Sequence, residues 1–350
     1  MSKVQEQEQT KKNGKLILAI ETSCDETSVA LVEDGRKIRA NIISSQVPLH
    51  RKYGGVVPEI ASRKHIENVL PVLEECLTEA NVKLTDIDGI GVTYGPGLVG
   101  ALLVGVSAAK ALAFSLGVPL LGVHHLEGHI FANFLENEQL EPPFVALVVS
   151  GGHTALVHVK DYSTFELLGQ TRDDAVGEAF DKVARVLGLP YPGGPEVERL
   201  AKEGDPDAIA FPKALCEKGS FEFSFSGLKS AVLNYLNSKK QKNEEINPAD
   251  VAASFQSVAL DVLVEKTMQA MKVCDVKQLV LAGGVAANTM LREKLTQAAA
   301  ENGVSFSYPN KILCTDNAAM IACRAHYLYE EGRFADLHLN GVPSLSLGKA

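Results

Sequence analysis

Two well-separated segments of this chain follow one plan, and that repetition constrains the fold more than any other feature. Leu16-Ile17-Leu18-Ala19-Ile20 is an apolar run, residues 21–26 are polar, and residues 27–32 return through Thr27-Ser28 to the apolar Val29-Ala30-Leu31-Val32. Further on, Val145-Ala146-Leu147-Val148-Val149 leads through Ser150-Gly151-Gly152-His153 into residues 154–159. Short apolar runs bounded by polar turn residues read as strands, so each segment is a predicted hairpin. α/β sequence follows both hairpins, which predicts a duplicated fold of two similar lobes. A cleft between such lobes presents both polar turns to one ligand.

Two further units fit this frame. Ile90-Gly91-Val92-Thr93-Tyr94 reads as a strand entering Gly95-Pro96-Gly97, with an apolar helix starting near Leu98. Leu279-Val280-Leu281-Ala282 enters Gly283-Gly284-Val285-Ala286-Ala287-Asn288, with a helix from about Thr289. Strand, glycine-rich turn and helix is a geometry that offers backbone N–H groups to an anion. One such unit is as well explained by packing. Two of them, with two hairpin turns rich in Ser, Thr and Gly, predict a nucleotide in the cleft. Residues 171–199 add Asp173, Asp174, Glu178 and Asp181, then Pro192-Gly193-Gly194-Pro195, Glu196 and Glu198. An amphipathic helix over 175–188 and a tight turn account for part of this, Asp173 and Asp174 included. Carboxylates clustered near a nucleotide also suit ribose hydroxyls.

His125-Leu126-Glu127-Gly128-His129 carries the metal chemistry. On a helix, the spacing stacks the two imidazoles one turn apart on one face, where they can share a transition metal. In a zinc-protease H-E-x-x-H helix the acid directly follows the first histidine and serves as base. Here Glu127 stands two positions after His125, roughly 200° around the helix, so it points away from the metal and peptidase chemistry is disfavoured. His124 reads as structural, because its spacing to His129 leaves that face. Asp316 opens a C-terminal helix and reads as its N-cap. A cap at the cleft rim is also placed to give a metal one oxygen.

The chain has 350 residues, enough for two domains, and a net charge of −9, which argues against gripping nucleic acid with the whole surface. The basic clusters Arg36-Lys37-Arg39, Arg51-Lys52, Arg63-Lys64 and Lys239-Lys240-Lys242 read as solvated loops. The six cysteines form no CxxC pair and no apolar leader opens the chain, which favours reduced thiols in the cytoplasm. Residues 1–14 are charged and Gln-rich, an expected disordered tail. Residues 98–123 form the one apolar stretch long enough for a membrane. Lys110 interrupts it and Gly117-Val118-Pro119 divides it, so it reads as a buried helix followed by a strand, with no membrane partner.

Taken in order, these motifs resemble one family. They are residues 20–28 (Ile20-Glu21-Thr22-Ser23-Cys24-Asp25-Glu26-Thr27-Ser28), Tyr94-Gly95-Pro96-Gly97-Leu98, His124-His125-Leu126-Glu127-Gly128-His129, Val149-Ser150-Gly151-Gly152-His153-Thr154 and Gly177-Glu178-Ala179-Phe180-Asp181-Lys182-Val183. Then come Pro192-Gly193-Gly194-Pro195, Phe223-Ser224-Phe225-Ser226-Gly227-Leu228-Lys229, Gly283 to Asn288 and Thr315-Asp316-Asn317-Ala318-Ala319-Met320. The chain from about Leu16 onward is similar to the bacterial TsaD family of tRNA adenosine threonylcarbamoyltransferases.

The resemblance implies the two-lobed actin-like ATPase (ASKHA) fold: duplicated ribonuclease H-like lobes around a cleft. The expected division is 15–142 for the first lobe, with 325–350 packing back on it, and 143–324 for the second. It implies transfer of threonylcarbamoyl from L-threonylcarbamoyl-AMP to N6 of adenosine 37 in tRNAs reading codons that start with A, with release of AMP. It implies one divalent metal, usually Fe2+ and with Zn2+ compatible, on His125, His129 and Asp316. Substrate-binding positions fall on Val148, Val149, Ser150, Gly151, Gly152, Asp181, Gly194, Glu198 and Asn288. The implied partners are TsaB, a relative of the same fold expected as a heterodimer partner, and the ATPase TsaE. For proton removal from the attacking amine, Asp25 or Glu26 in the first turn is the expected catalytic group. His153 is expected to hydrogen-bond rather than to ligate. Two rival readings are a small-molecule kinase of the same fold, which would hold Mg2+ through carboxylates and phosphates, and a nucleotide-binding module without turnover.

Overall fold

The computed structural model describes residues 14–213 and 219–348. The first half runs β1 (Leu16–Glu21), β2 (Glu26–Glu33), β3 (Lys37–Ser45), α1 (Val47–His50), α2 (Pro58–Ala80), β4 (Gly89–Gly95), α3 (Val99–Leu116), β5 (Leu120–His124) and α4 (His125–Phe131). The second runs β6 (Phe144–Val149), β7 (Thr154–Val159), β8 (Phe165–Gln170), α5 (Val176–Val186), α6 (Gly193–Ala201), α7 (Ser226–Gln241) and α8 (Pro248–Cys274). It closes with β9 (Gln278–Ala282), α9 (Thr289–Glu301), β10 (Ser305–Ser307), α10 (Lys311–Cys314) and α11 (Ala318–Glu330).

The duplication holds strand for strand. One sheet has the order β3-β2-β1-β4-β5 and the other β8-β7-β6-β9-β10. The first three strands of each pair antiparallel, and the last two run parallel to the first, Leu18 facing Leu31 and Ile90 in one sheet and Leu147 facing Leu156 and Leu281 in the other. Successive side chains point to opposite faces, so strands apolar at every position need both faces covered.

In the first sheet, Leu18, Ile20 and Leu31 pack on Val69, Leu73 and Cys76 of α2 and Val106 and Ala109 of α3. Ile17, Ala19, Ala30 and Val32 pack on Ala318, Ile321, Ala322 and Ala325 of α11. In the second, Leu147, Val149 and Leu156 meet Phe180 of α5 and Phe255, Leu260 and Leu263 of α8. Ala146, Val148 and Val157 meet Ile130 and Phe131 of α4 and Phe134 just after it. Helix α4 thus follows a strand of the first sheet and covers the second, while α11 follows a strand of the second and covers the first. The exchanged helices cross closely: a Cβ at Gly128 would stand 2.5 Å from Ile321 Cδ1.

The division expected at 324/325 falls inside α11, all of which begins after Asn317 and lies along the first sheet. The expected tail lies, apart from Gly14, outside the described residues. Residues 98–123 form α3 and β5, separated by Gly117 in the left-handed conformation at φ 67°. By length and composition α3 is the one described helix that would span a membrane, but its inner stripe, Ala101, Leu102, Gly105, Val106, Ala109 and Ala113, is buried. Lys239 and Lys240 are not in a loop as expected: α7 continues through Gln241, and both lie in its last turn, where positive charge suits the helix dipole.

Candidate active site at the crossing of the exchanged helices

The helix crossing brings together residues far apart in sequence. His125 and His129 sit one turn apart on α4, their rings 4.6 Å between centroids and nearly perpendicular. Asp316 immediately precedes the N-cap of α11. Its Oδ1 lies 3.1 Å from His129 Nε2 and 3.5 Å from His125 Nε2. Ligand atoms of the three residues all lie within 4.8 Å of one another. On the far side of its ring, His129 Nδ1 has no hydrogen-bond partner. Lone pairs from two imidazoles and a carboxylate converging in a buried space fit a divalent cation. Burial alone would lower the His125 pKa, but the Asp316 and Glu21 carboxylates outweigh it and push it up to about 9. Burial would raise the Asp316 pKa, yet His125 and His129 hold it well below the usual carboxylate range. Positive charge at this crossing is therefore favoured.

Asp316 is not the cap that its position predicted. Asn317 caps α11, its Oδ1 accepting from Met320 N at 3.1 Å, so the Asp316 carboxylate is left for the histidines. His124 is structural: its Nδ1 accepts from Leu126 N at 3.1 Å and caps α4. Glu127 points away from the metal face, and its Oε2 accepts from Arg324 Nε of α11 at 2.6 Å. An acid held by a buried arginine is not poised over metal-bound water, which removes the basis for peptidase chemistry.

Beside this crossing stands the first hairpin turn. Asp25 is buried, and its Oδ2 has no hydrogen-bond partner. Ser45 Oγ donates to Glu26 Oε1 at 3.1 Å. Burial and the charges of Asp25 and Asp316 push Glu26 up to about 10. The turn is clamped from α2 and α3. His65 Nε2 donates to Cys24 O at 2.9 Å, and Thr22 Oγ1 donates to Ala101 O at 2.8 Å. Behind His125 lies Glu21, a fully buried acid that sequence reasoning assigned no role. Its signal was a lone carboxylate closing an otherwise apolar strand. Burial would raise its pKa, but His125 and its hydrogen bonds hold it lowered.

The second lobe supplies loops at the ends of its parallel strands, the usual place for ligands in α/β sheets. The turn after β6 is tight: Ser150 N donates to His153 O at 2.8 Å and His153 N to Ser150 Oγ at 3.1 Å. Gly151 and Gly152 are exposed. The N-terminus of α5 abuts this turn, since a Cβ at Gly177 would meet Ser150 O at 2.5 Å. Gly283, at φ 90°, lets the loop after β9 press on the end of β6, where a Cβ would meet Val149 O at 2.4 Å. The His153 ring centroid is 6.3 Å from that of His125. His153 stands outside the metal cluster, and burial and the neighbouring histidines hold its pKa down at about 3.

The other expected substrate positions form a continuous rim. Asp181 Oδ1 accepts from Gly193 N at 2.7 Å, the start of α6. Burial outweighs the Gly193 and Gly194 N–H groups that oppose it and raises the Asp181 pKa. Gly194 faces open space. Glu198 Oε1 accepts from Thr289 N at 3.0 Å. Asn288 caps α9, accepting from Leu291 N at 2.9 Å and donating to Gln256 Oε1 at 2.9 Å. The Val148 and Val149 side chains are in the cores, so only their backbone can face a ligand. Asp173 caps the start of α7 and Asp174 pairs with Lys182 and Lys229, so both acids are structural. Two cross-lobe contacts flank this rim, Arg51 Nε donating to Tyr191 O at 2.9 Å and Arg185 to Gly54 O.

Comparison with known proteins accords with this architecture. The family model described as "TsaD: tRNA N6-adenosine threonylcarbamoyltransferase" matches residues 37–323. A protein of that name from Clostridium novyi (strain NT) is 59% identical over 334 residues, covering 95% of this chain and 98% of the relative. Another, from Clostridium botulinum (strain Kyoto / Type A2), is 59% identical over 333 residues with the same coverage. Among solved structures, full-length HypF in its phosphate- and nucleotide-bound form aligns with TM-score 0.61 at 15% identity, over 91% of this chain and 46% of that one. Component A of the (R)-2-hydroxyglutaryl-CoA dehydratase of Acidaminococcus fermentans aligns with TM-score 0.52 at 15% identity, over 91% of this chain and 99% of that one. At such identities these structures speak for the two-lobed ASKHA fold alone. The sequence relatives go further, and with them the chain belongs to the TsaD family of tRNA N6-adenosine threonylcarbamoyltransferases.

Proposed function

We propose that the chain transfers threonylcarbamoyl from L-threonylcarbamoyl-AMP to N6 of adenosine 37 in tRNAs reading codons that start with A, releasing AMP. The observation that carries this reading is the meeting of His125, His129 and Asp316 beside the glycine-rich Ser150–His153 turn. Those three residues would hold a divalent metal, Fe2+ with Zn2+ as the alternative, which would supply Lewis-acid polarisation of the carbamoyl carbonyl and offset charge on the leaving phosphate.

The protein's own groups do the rest. The donor is a mixed anhydride, so positioning and charge stabilisation are the main demands. Backbone N–H groups of Gly151 and Gly152 and the Ser150 hydroxyl face the phosphate or carbamoyl oxygens. The acceptor capacity that Asp181 and Glu198 have left suits ribose hydroxyls, with Gly194 and the Asn288 backbone beside the sugar and base. The N6–carbon bond forms as the carbon–oxygen bond to phosphate breaks, and AMP leaves. Glu26, pushed up to about 10, keeps its proton at neutral pH, so the N6 proton passes to Asp25, whose Oδ2 has no other partner.

TsaB and TsaE are the partners of this reading, in the cytoplasm. The outer faces of α2 and α3 offer TsaB a surface: Ile66 and Leu70 on one helix and Val99 and Leu103 on the other are exposed. The helices touch where Gly100 meets Ser62, and apart from Lys110 α3 carries no charge on any face, as expected of a helix covered on both sides.

The test is nucleoside analysis of tRNA incubated with this protein, threonylcarbamoyl-AMP, TsaB and TsaE, beside a His125→Ala/His129→Ala variant. The wild type is expected to make threonylcarbamoyladenosine, and the folded variant to lose bound metal and product together. No product from folded, metal-loaded wild type with competent partners would overturn the reading.

A further inference from the structure

We propose that Glu21 is a positioning residue for the metal centre, orienting His125 as a ligand from behind. This rests on the reading of His125, His129 and Asp316 as one metal site. Glu21 ends β1, a strand in which every residue is buried. An unpaired carboxylate in such a place is strongly destabilising, so its presence requires partners. Three converge on it. Ser23 N donates to Oε1 at 2.5 Å, Thr93 Oγ1 donates to Oε2 at 2.5 Å, and His125 Nδ1 lies 3.2 Å from Oε2.

Ser23 N is backbone of the adjoining turn, and the Thr93 hydroxyl is fully buried on the neighbouring strand β4, so both donors are fixed in place. They lock the carboxylate, and the locked carboxylate aims at the imidazole. His125 Nδ1 faces Glu21 Oε2 and Ser23 Oγ, each at 3.2 Å; the hydroxyl can donate or accept but the carboxylate only accepts, so the ring proton on this side sits on Nδ1. The lone pair of a neutral His125 is then on Nε2, the atom that faces Asp316 at 3.5 Å. Such an acid behind a ligating imidazole fixes both tautomer and ring angle. Glu21 also completes the charge: with Asp316 it makes two carboxylates for one divalent ion, whereas two imidazoles and Asp316 alone would leave a buried net positive charge. His129 Nδ1 has no partner, while its Nε2 faces Asp316, so of the two ligand rings only His125 is held from behind in this way.

The experiment measures metal binding apart from tRNA modification. Glu21→Gln keeps the side-chain volume and an oxygen for Ser23 N but loses the charge. Thr93→Val removes the hydroxyl that locks Oε2. Zn2+ affinity of the full chain is read by competition with a chromogenic chelator, and site geometry by the absorption spectrum of the Co2+-loaded protein. Thermal unfolding of the metal-free forms reports folding. Glu21→Gln is expected to bind Zn2+ about ten- to hundredfold more weakly, with an altered Co2+ spectrum. Thr93→Val is expected to lose about fivefold. A folded Glu21→Gln variant with wild-type Zn2+ affinity and spectrum would overturn the proposal. Should that variant not fold, wild-type Zn2+ affinity in Thr93→Val would overturn it equally. Wild-type protein that binds no stoichiometric metal would instead remove the metal reading on which the proposal stands.

Discussion

The two lobes share a strand order and open on the same hairpin, yet their hairpin turns have opposite chemistry. The first turn carries Glu21, Asp25 and Glu26, is buried at Ser23 and Asp25, and is clamped by His65 and Ala101. The second is Ser150-Gly151-Gly152-His153, with both glycines exposed and the N-terminus of α5 behind it. One turn gathers carboxylates, and the other offers glycine N–H groups to the surface. The second lobe also inserts α5, α6 and α7 between β8 and α8, and these bring Asp181, Gly194 and Glu198 to the rim. Duplication has kept the frame and divided the chemistry; on the function proposed above, a mixed anhydride and an amine acceptor would meet different functional groups from either side.

The comparison breaks first at Asp25. Asp25→Asn is expected to lower kcat by about 10²–10⁴-fold while threonylcarbamoyl-AMP still binds. Pre-steady-state transfer assays read this directly, and unimpaired turnover would take the proton-accepting role from the first turn.

The exchanged helices offer the next test. Arg324 is fully buried and pairs with Glu127 across α4 and α11. Arg324→Met is expected to cost about 3 kcal/mol in urea unfolding, because Glu127 loses its partner in a mostly buried place. Glu127→Gln in the same chain should restore part of that loss. Unchanged stability in the single variant would show that the pair does not hold the crossing.

Ser150→Ala sharpens the contrast between the turns. Its effect should be about tenfold, in KM for the adenylate rather than in kcat, as for one neutral hydrogen bond to bound substrate. A kcat loss as large as that of Asp25→Asn would mean that the turns are not chemically divided.

The smallest effect is on pH dependence. Glu26 is pushed up to about 10 in the folded chain. Above the ordinary carboxylate pKa the unfolded chain has ionised Glu26 while the folded chain keeps its proton, so this group's contribution to stability falls as pH rises toward 10. Glu26→Gln lacks that ionisation. Metal-free variant and wild type should be alike near pH 4, and the variant should gain about 1 kcal/mol or more by pH 9. Parallel stability curves across this range would return Glu26 to the ionised state and reopen it as a base.

Much of the frame was legible because its signals are local. Period-two and continuous apolar runs mark β1, β2, β6 and β7, and the polar turns between them stand out. The glycines after β4 and β9 mark strand-to-helix turns. The i,i+4 spacing puts His125 and His129 on one face and carries Glu127 away from it, toward Arg324. Asp316 was harder. Its position matched an N-cap, but Asn317 one residue later takes that role, and the two choices differ by a single residue of helix start. Asp181, Glu198 and Asn288 each use part of their hydrogen-bonding capacity to start a helix, which no motif reveals.

The sequence by itself determined the elements, the repeated plan and the kind of chemistry available, because propensity, periodicity and turn composition act over a few residues. Only the tertiary structure decided which groups meet. Glu21 and His125 are 104 residues apart, and Asp316 reaches the histidines because α4 and α11 each cover the other lobe's sheet. That exchange follows from burying two-sided apolar sheets, a global packing requirement to which many residues contribute and which no short stretch encodes.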